Sequence, residues 1–318
     1  MPAPEASPAP RGAGAPAPGT EPGLALHAAL LLVQLLFSGF HVVGKYVLAD
    51  VHPLALACLR VGFATPVLMV IAWRHDRCLP ALRDLPVLAA LGALGVFGNQ
   101  VLFITGLSHT TATNAAILMP SIPVFAAGLG ALFGVERIGP RRLAGIALAV
   151  AGALAILDPT AVSLGDRETV GNLLVLANCL SYAGFLVLQR PVLTRLPWRT
   201  VIAASFLFGS VGVFAVGGDE LAAVEPAALE PGVLWGIAYI LVFPTLIGYA
   251  LNTWAVRRSS ATLVAAYTTL QPLASAGLAA VFLGERFGWP EAVGFVLIAG
   301  GLWVVSRRQV ARDISREA

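Results

Sequence analysis

Charge is what this sequence has least of. Asp, Glu, Lys and Arg together make up 12% of 318 residues, while apolar residues make up 58%. A soluble domain carries about 25% charged residues, so this chain could not cover a water-facing surface. Lipid needs no such cover, and the composition reads as an integral membrane protein. Cysteine is also scarce. Cys58, Cys78 and Cys179 have no metal-like or disulfide-like spacing, and the two that fall in apolar runs read as small apolar filler. The net charge of +3 comes with no dense basic run, so nucleic acid is not expected as a partner. There is no HExxH, no GxSxG and no aspartate pair at membrane depth, which argues against a membrane-embedded enzyme. No cofactor and no metal are expected.

What is present is a series of long apolar runs. A helix needs about 20 apolar residues to cross a bilayer. Ten runs qualify, at roughly Leu24–Val47, Pro53–Trp73, Leu85–Leu107, Thr111–Phe133, Arg142–Leu157, Val170–Gln189, Trp198–Val216, Val233–Val256, Thr262–Phe282 and Glu291–Val305. The first 23 residues are rich in Pro, Ala and Gly and read as a disordered cytoplasmic tail with no cleaved leader. Residues 158–169 form a linker, and residues 307–318 a basic tail. With both termini inside, sixteen of the twenty lysines and arginines fall in cytoplasmic segments. Only Lys45, Arg167 and Arg286 fall outside, and Arg60 lies within a run. That bias is the one membrane insertion imposes. It predicts a multi-pass protein of the inner (plasma) membrane with cytoplasmic N- and C-termini.

The chain also repeats itself. Shifted by 149 residues, the stretch from Thr111 to Ile156 matches the stretch beginning at Ser260 in 15 of 46 ungapped positions. Thr113 meets Thr262, Pro123 meets Pro272, and Glu136-Arg137 meets Glu285-Arg286. The halves are thus residues 24–157 and 170–306. Five helices is an odd number, so the second half must sit inverted relative to the first. The fold expected is all-α, with ten transmembrane helices as two inverted five-helix repeats, an arrangement frequent in secondary transporters.

The segments "TATNAAILMPSIPVFAAGLGALFGVERIG" and "SATLVAAYTTLQPLASAGLAAVFLGERFG", each with a mid-helix Pro, a Glu-Arg turn and a Gly-rich helix after it, resemble the drug/metabolite transporter superfamily, specifically its EamA-type exporters. The first copy departs slightly, with Val135 where the second has Gly284. Arg60, within "HPLALACLRVGFA", also matches a family habit. The resemblance spans roughly residues 24–306. It implies ten helices around a central cavity, alternating access, and export of amino acids, other small metabolites or drugs. It is poor for the substrate.

Polar side chains inside a span face a cavity or a neighbouring helix. The first run carries Gln34, Ser38, His41 and Lys45 on one stripe. Asn99 and Gln100, Asn114, Asn178 and Tyr182, Tyr249 and Asn252, and Tyr267 and Gln271 recur on later runs. With Arg60 and the stripe residues Gln34, Ser38 and His41, these are the candidate cavity residues. Arg60 could bind a substrate carboxylate, pair with backbone carbonyls, or snorkel outward. Its recurrence in the family across many substrates favours a structural or gating role. His41 could titrate near neutral pH or be a neutral, hydrogen-bonded histidine. No acid lies deep in a run, so transport is expected to be uncoupled, or coupled through His41 or by exchange. Pro123 and Pro272 read as symmetric hinges or as static kinks. Glu136, Arg137, Glu285 and Arg286 read as loop-fixing residues rather than gates.

The expected partners are a small-molecule substrate and the bilayer, with monomer and homodimer both open. Two rivals remain: a transporter of lipid-linked or nucleotide-linked cargo, which would prefer several cavity arginines, and a non-transporting sensor or structural protein.

Overall fold

The computed structural model describes residues 24–133, 166–259 and 267–284 without interruption, and shorter pieces at 144–145, 147–148, 151–152, 264–265, 288–289, 292–301 and 304. These residues are helical or lie in short connections. Seven helices among them are long and apolar enough to cross a bilayer: α1 (Leu24–Val47), α2 (Pro53–His75), α3 (Leu82–His109), α4 (Ala112–Leu132), α5 (Arg167–Leu193), α6 (Trp198–Ala222) and α7 (Pro231–Arg258). They coincide with seven of the ten apolar runs to within a few residues. Two shorter helices, α8 (Gln271–Phe282) and α9 (Ala292–Gly301), lie in the ninth and tenth runs. Most of the fifth run lies outside the described residues. So do Glu136, Arg137, Glu285 and Arg286, and both tails.

The bundle is polar inside and apolar outside. Leu35, Trp73, Val211 and Trp235 are 61–76% exposed, whereas Gln34, Arg60, Gln100 and Asn178 are 3% exposed or less. Water would punish that arrangement, but a hydrocarbon surround favours it. The seam runs between helices far apart in sequence. α2 packs on α6, α5 on the second halves of α3 and α4, and α1 on α7 and α8.

Helix ends are closed by local chemistry. Asp166 precedes α5, and its Oδ2 accepts the Thr169 N–H and hydroxyl, each at 2.9 Å. Those two donors, the backbone N–H first, hold the Asp166 carboxyl below the usual carboxylate range. Asp76, just past α2, accepts the Thr200 N–H at 3.2 Å and the Arg199 guanidinium at 3.1 Å, so it caps α6 from a neighbouring loop. Asp84 pairs with Arg195 at 3.2 Å at the same end. At the opposite end Lys45 donates to the carbonyls of Leu107 at 3.0 Å and Thr110 at 2.5 Å, which the last turn of α3 leaves without helical partners.

Two long helices are interrupted. α3 turns π-helical over Ala93–Gly98, and α7 does so over Leu241–Gly248. The α-helical turns of α4 stop at Leu118 and resume at Ser121, and α8 is preceded by a 3-10 turn at Thr268–Leu270. Pro123 and Pro272 each sit in the first turn of the helix that follows. There a proline forfeits no helical hydrogen bond. The interruption therefore lies before each proline, not at it.

Candidate functional site

One partly open cavity of about 60 Å³ lies where α1, α2, α3, α4, α5, α7 and α8 converge. Nine of the candidate residues line it: Gln34, His41, Arg60, Asn99, Asn178, Tyr182, Tyr249, Asn252 and Gln271. They come from six different helices. The helical period places them: Gln34 and His41 lie seven apart on α1, and Asn178 and Tyr182 four apart on α5, so each pair shares a face.

The polar groups bond one another across helices. Gln271 Nε2 donates to Gln34 Oε1 at 2.6 Å, and Asn99 Nδ2 to Asn178 Oδ1 at 2.6 Å. The Tyr249 hydroxyl donates to Asn99 Oδ1, and Asn252 Nδ2 donates to the Tyr182 hydroxyl at 2.6 Å. Asn99 and Tyr249 are the first residues after the two π segments, so that bond links both interruptions. Arg60 Nε donates to Thr245 Oγ1 at 2.7 Å, and its guanidinium carbon lies 4.1 Å from the centroid of the Phe40 ring. His41 Nδ1 lies 3.3 Å from the Ser275 hydroxyl, and its Nε2 is buried with no partner among the described residues.

Four candidates do not line the cavity. Ser38 stands just behind the wall, donating to the Gln271 carbonyl at 3.4 Å. Gln100 is fully buried with both amide atoms unpartnered. Asn114 donates to Glu168 Oε1 at 2.7 Å, near the start of α4. Tyr267 bonds His27, close to the start of α1. Sequence reasoning did not assign the apolar wall: Phe37, Phe40, Phe103, Met119, Ile122, Leu186 and Val264. In a chain this apolar such residues lack contrast. Helical spacing gave a usable signal at Phe37 and Phe103, three and four residues after Gln34 and Asn99.

The arrangement offers hydrogen bonds, one guanidinium and aromatic faces. Among the described residues no group of three His, Cys, Asp or Glu side chains could hold a metal ion. Cys58 and Cys179 are buried free thiols, each donating to a backbone carbonyl at 3.5 Å.

Comparison with known proteins places this geometry. A solved crystal structure superposes with a TM-score of 0.63 at 20% identity, covering 88% of this chain and 96% of that one, which establishes likeness of fold. The chain is 28% identical to the protein WALLS ARE THIN 1 of Arabidopsis thaliana, over 89% of this chain and 82% of that protein. It is 28% identical to an uncharacterised transporter of Archaeoglobus fulgidus, over 89% and 98%. It is 30% identical to a probable terminal-alkyne amino-acid exporter of Streptantibioticus cattleyicolor, over 81% and 85%. The EamA-like transporter family matches residues 25–158 and again 169–307, so this multi-pass membrane protein belongs to the EamA-like transporter family.

Proposed function

We propose that this chain exports small metabolites, amino acids or amphiphilic drugs among them, by alternating access through the cavity between α1 and α7. The observation that carries the reading is the convergence of nine polar or aromatic-polar side chains from six helices on one cavity. Polar groups at that depth are expensive unless they serve a passing solute or one another. The frame is a ten-helix bundle of two inverted five-helix halves in the plasma membrane, with both termini in the cytoplasm. Support comes from the 149-residue repeat and from the two π segments, whose central residues Val96 and Thr245 lie at that same offset. A cavity of about 60 Å³ has room for about four to six waters at 10–15 Å³ each.

The test is efflux from proteoliposomes loaded with a mixture of amino acids, purines and cationic drugs. Protein-dependent loss of one class is expected, falling at least tenfold in Gln271→Ala. Retention of every class by folded, correctly inserted protein overturns the export reading.

A further inference from the structure

Arg60 is a buried cation with no acidic partner among the described residues. Its side chain is 2% exposed. Nε is held by Thr245 Oγ1, and one face of the guanidinium is covered by the Phe40 ring. Nη1 and Nη2 make no hydrogen bond to any described residue, yet they are not sealed away, so they open on the cavity that Arg60 lines. Among the described residues no Asp or Glu lines that cavity. A guanidinium taken out of water without a carboxylate is an expensive group to maintain. The aromatic face and one hydroxyl compensate only part of it, and two parallel N–H donors remain on offer. That fork matches the two oxygens of a carboxylate.

We propose that Arg60 is the carboxylate-binding subsite of the cavity, and that the transported solutes are small monocarboxylates rather than cations. The inference rests on the transport reading and narrows its substrate class. The solute's carboxylate takes Nη1 and Nη2, and the rest of it lies against Phe103, Ile122 and Leu186. With no acid among the described wall residues, a cationic solute finds only aromatic faces and meets the guanidinium's repulsion. Nε stays on Thr245, inside the π segment of α7, so the bound anion and that segment share one side chain. Arg60 thereby acts as more than a structural or gating residue.

The experiment compares matched probes on the full chain in lipid nanodiscs by saturation-transfer NMR titration. Butyrate is set against butyramide, and L-leucine against L-leucinamide. Each carboxylate is expected to bind at least tenfold more tightly than its amide. In Arg60→Gln the discrimination should collapse to within twofold, and Arg60→Lys should keep part of it. Equal binding of carboxylate and amide by the unaltered protein overturns the proposal, and so does binding of neither. Those outcomes need no variant to fold. Discrimination that persists in folded Arg60→Gln overturns it as well. Efflux of cationic drugs that carboxylates do not inhibit sinks this inference and leaves the export reading standing. Carboxylate binding without efflux of any class does the reverse.

Discussion

The π segments of α3 and α7 break their helices at matching places, yet they are held by different chemistry. In α3 the hold is shape. Gly209 of α6 lies so close that an added Cβ would stand 2.5 Å from Val96 Cβ and 2.6 Å from the Gly92 carbonyl oxygen. The Leu94 carbonyl takes the Ser181 hydroxyl of α5 at 2.8 Å. In α7 the hold is a chain of hydrogen bonds. Pro244 has no N–H to give to the Ile240 carbonyl four residues back, so the π register turns that carbonyl to Thr245, whose hydroxyl also donates to it, at 2.7 Å. Its oxygen then accepts from Arg60. Where one half has Val96, fully buried and apolar, the other has Thr245 wired to a cation in the cavity wall. Among the described residues, the second segment alone holds a bond to the cavity's guanidinium. A repeat can thus keep one backbone device in both halves while tying one of them to a charged group.

The comparison breaks most easily at the shape-held segment. Gly209→Val should abolish folded protein in detergent, because the added atoms meet backbone that cannot yield. Gly209→Ala should lower stability by about 1–3 kcal/mol in a thermal melt. Gly218, on the same helix with nothing within 4 Å of an added Cβ, should accept alanine with an unchanged melting temperature. If Gly209→Ala melts like Gly218→Ala, shape does not hold the segment.

Thr245→Val makes the second segment resemble the first. It strands Arg60 Nε and removes the hydroxyl's bond to the Ile240 carbonyl, which should destabilise by about 1–3 kcal/mol. Adding Arg60→Leu removes the stranded donor as well, so the double variant should recover a large part of the loss. A double variant whose melting loss equals the sum of the two single losses would show that the pair is not a unit.

The smallest effect is expected where the two segments touch. Tyr249→Phe keeps the ring and deletes the bond to Asn99, at a cost of about 0.5–1.5 kcal/mol. Asn99→Ala on that background should add less than it does alone. Strict additivity would mean that the segments are not joined there.

Much of the frame was legible in the sequence because lipid demands it. A run such as Leu24–Val47 must be long, apolar and helical, and α1 spans those residues. Arg60 and Gln34 stood out because a polar group in an apolar run is conspicuous, and both reach the cavity wall. The π segments were less legible. "ALGVFG" in α3 carries no proline, and its interruption depends on Gly209, more than a hundred residues away. In α7 Pro244 marked a bend without revealing that Thr245 would replace its missing donor. Periodicity gave the face but not the depth of Tyr267, which lies beside His27 while Gln271, one turn further on, bonds Gln34. Pairings of that kind, 237 positions apart for Gln34 and Gln271, arise from packing and have no local signature.

Trp73 and Trp235 have a further use. One lies near the end of α2 beside Asp76, the other near the start of α7, and both indoles are more than half exposed. His52 at the start of α2 pairs with Glu220 near the end of α6 at 3.5 Å, so those termini share one face of the bundle and the start of α7 follows there. The two indoles therefore mark opposite faces. Kept singly, with the other tryptophans replaced, each becomes a built-in fluorescent depth gauge. Quenching by lipids brominated at known carbons would then report how the protein rides in a bilayer, leaflet by leaflet, with no attached dye.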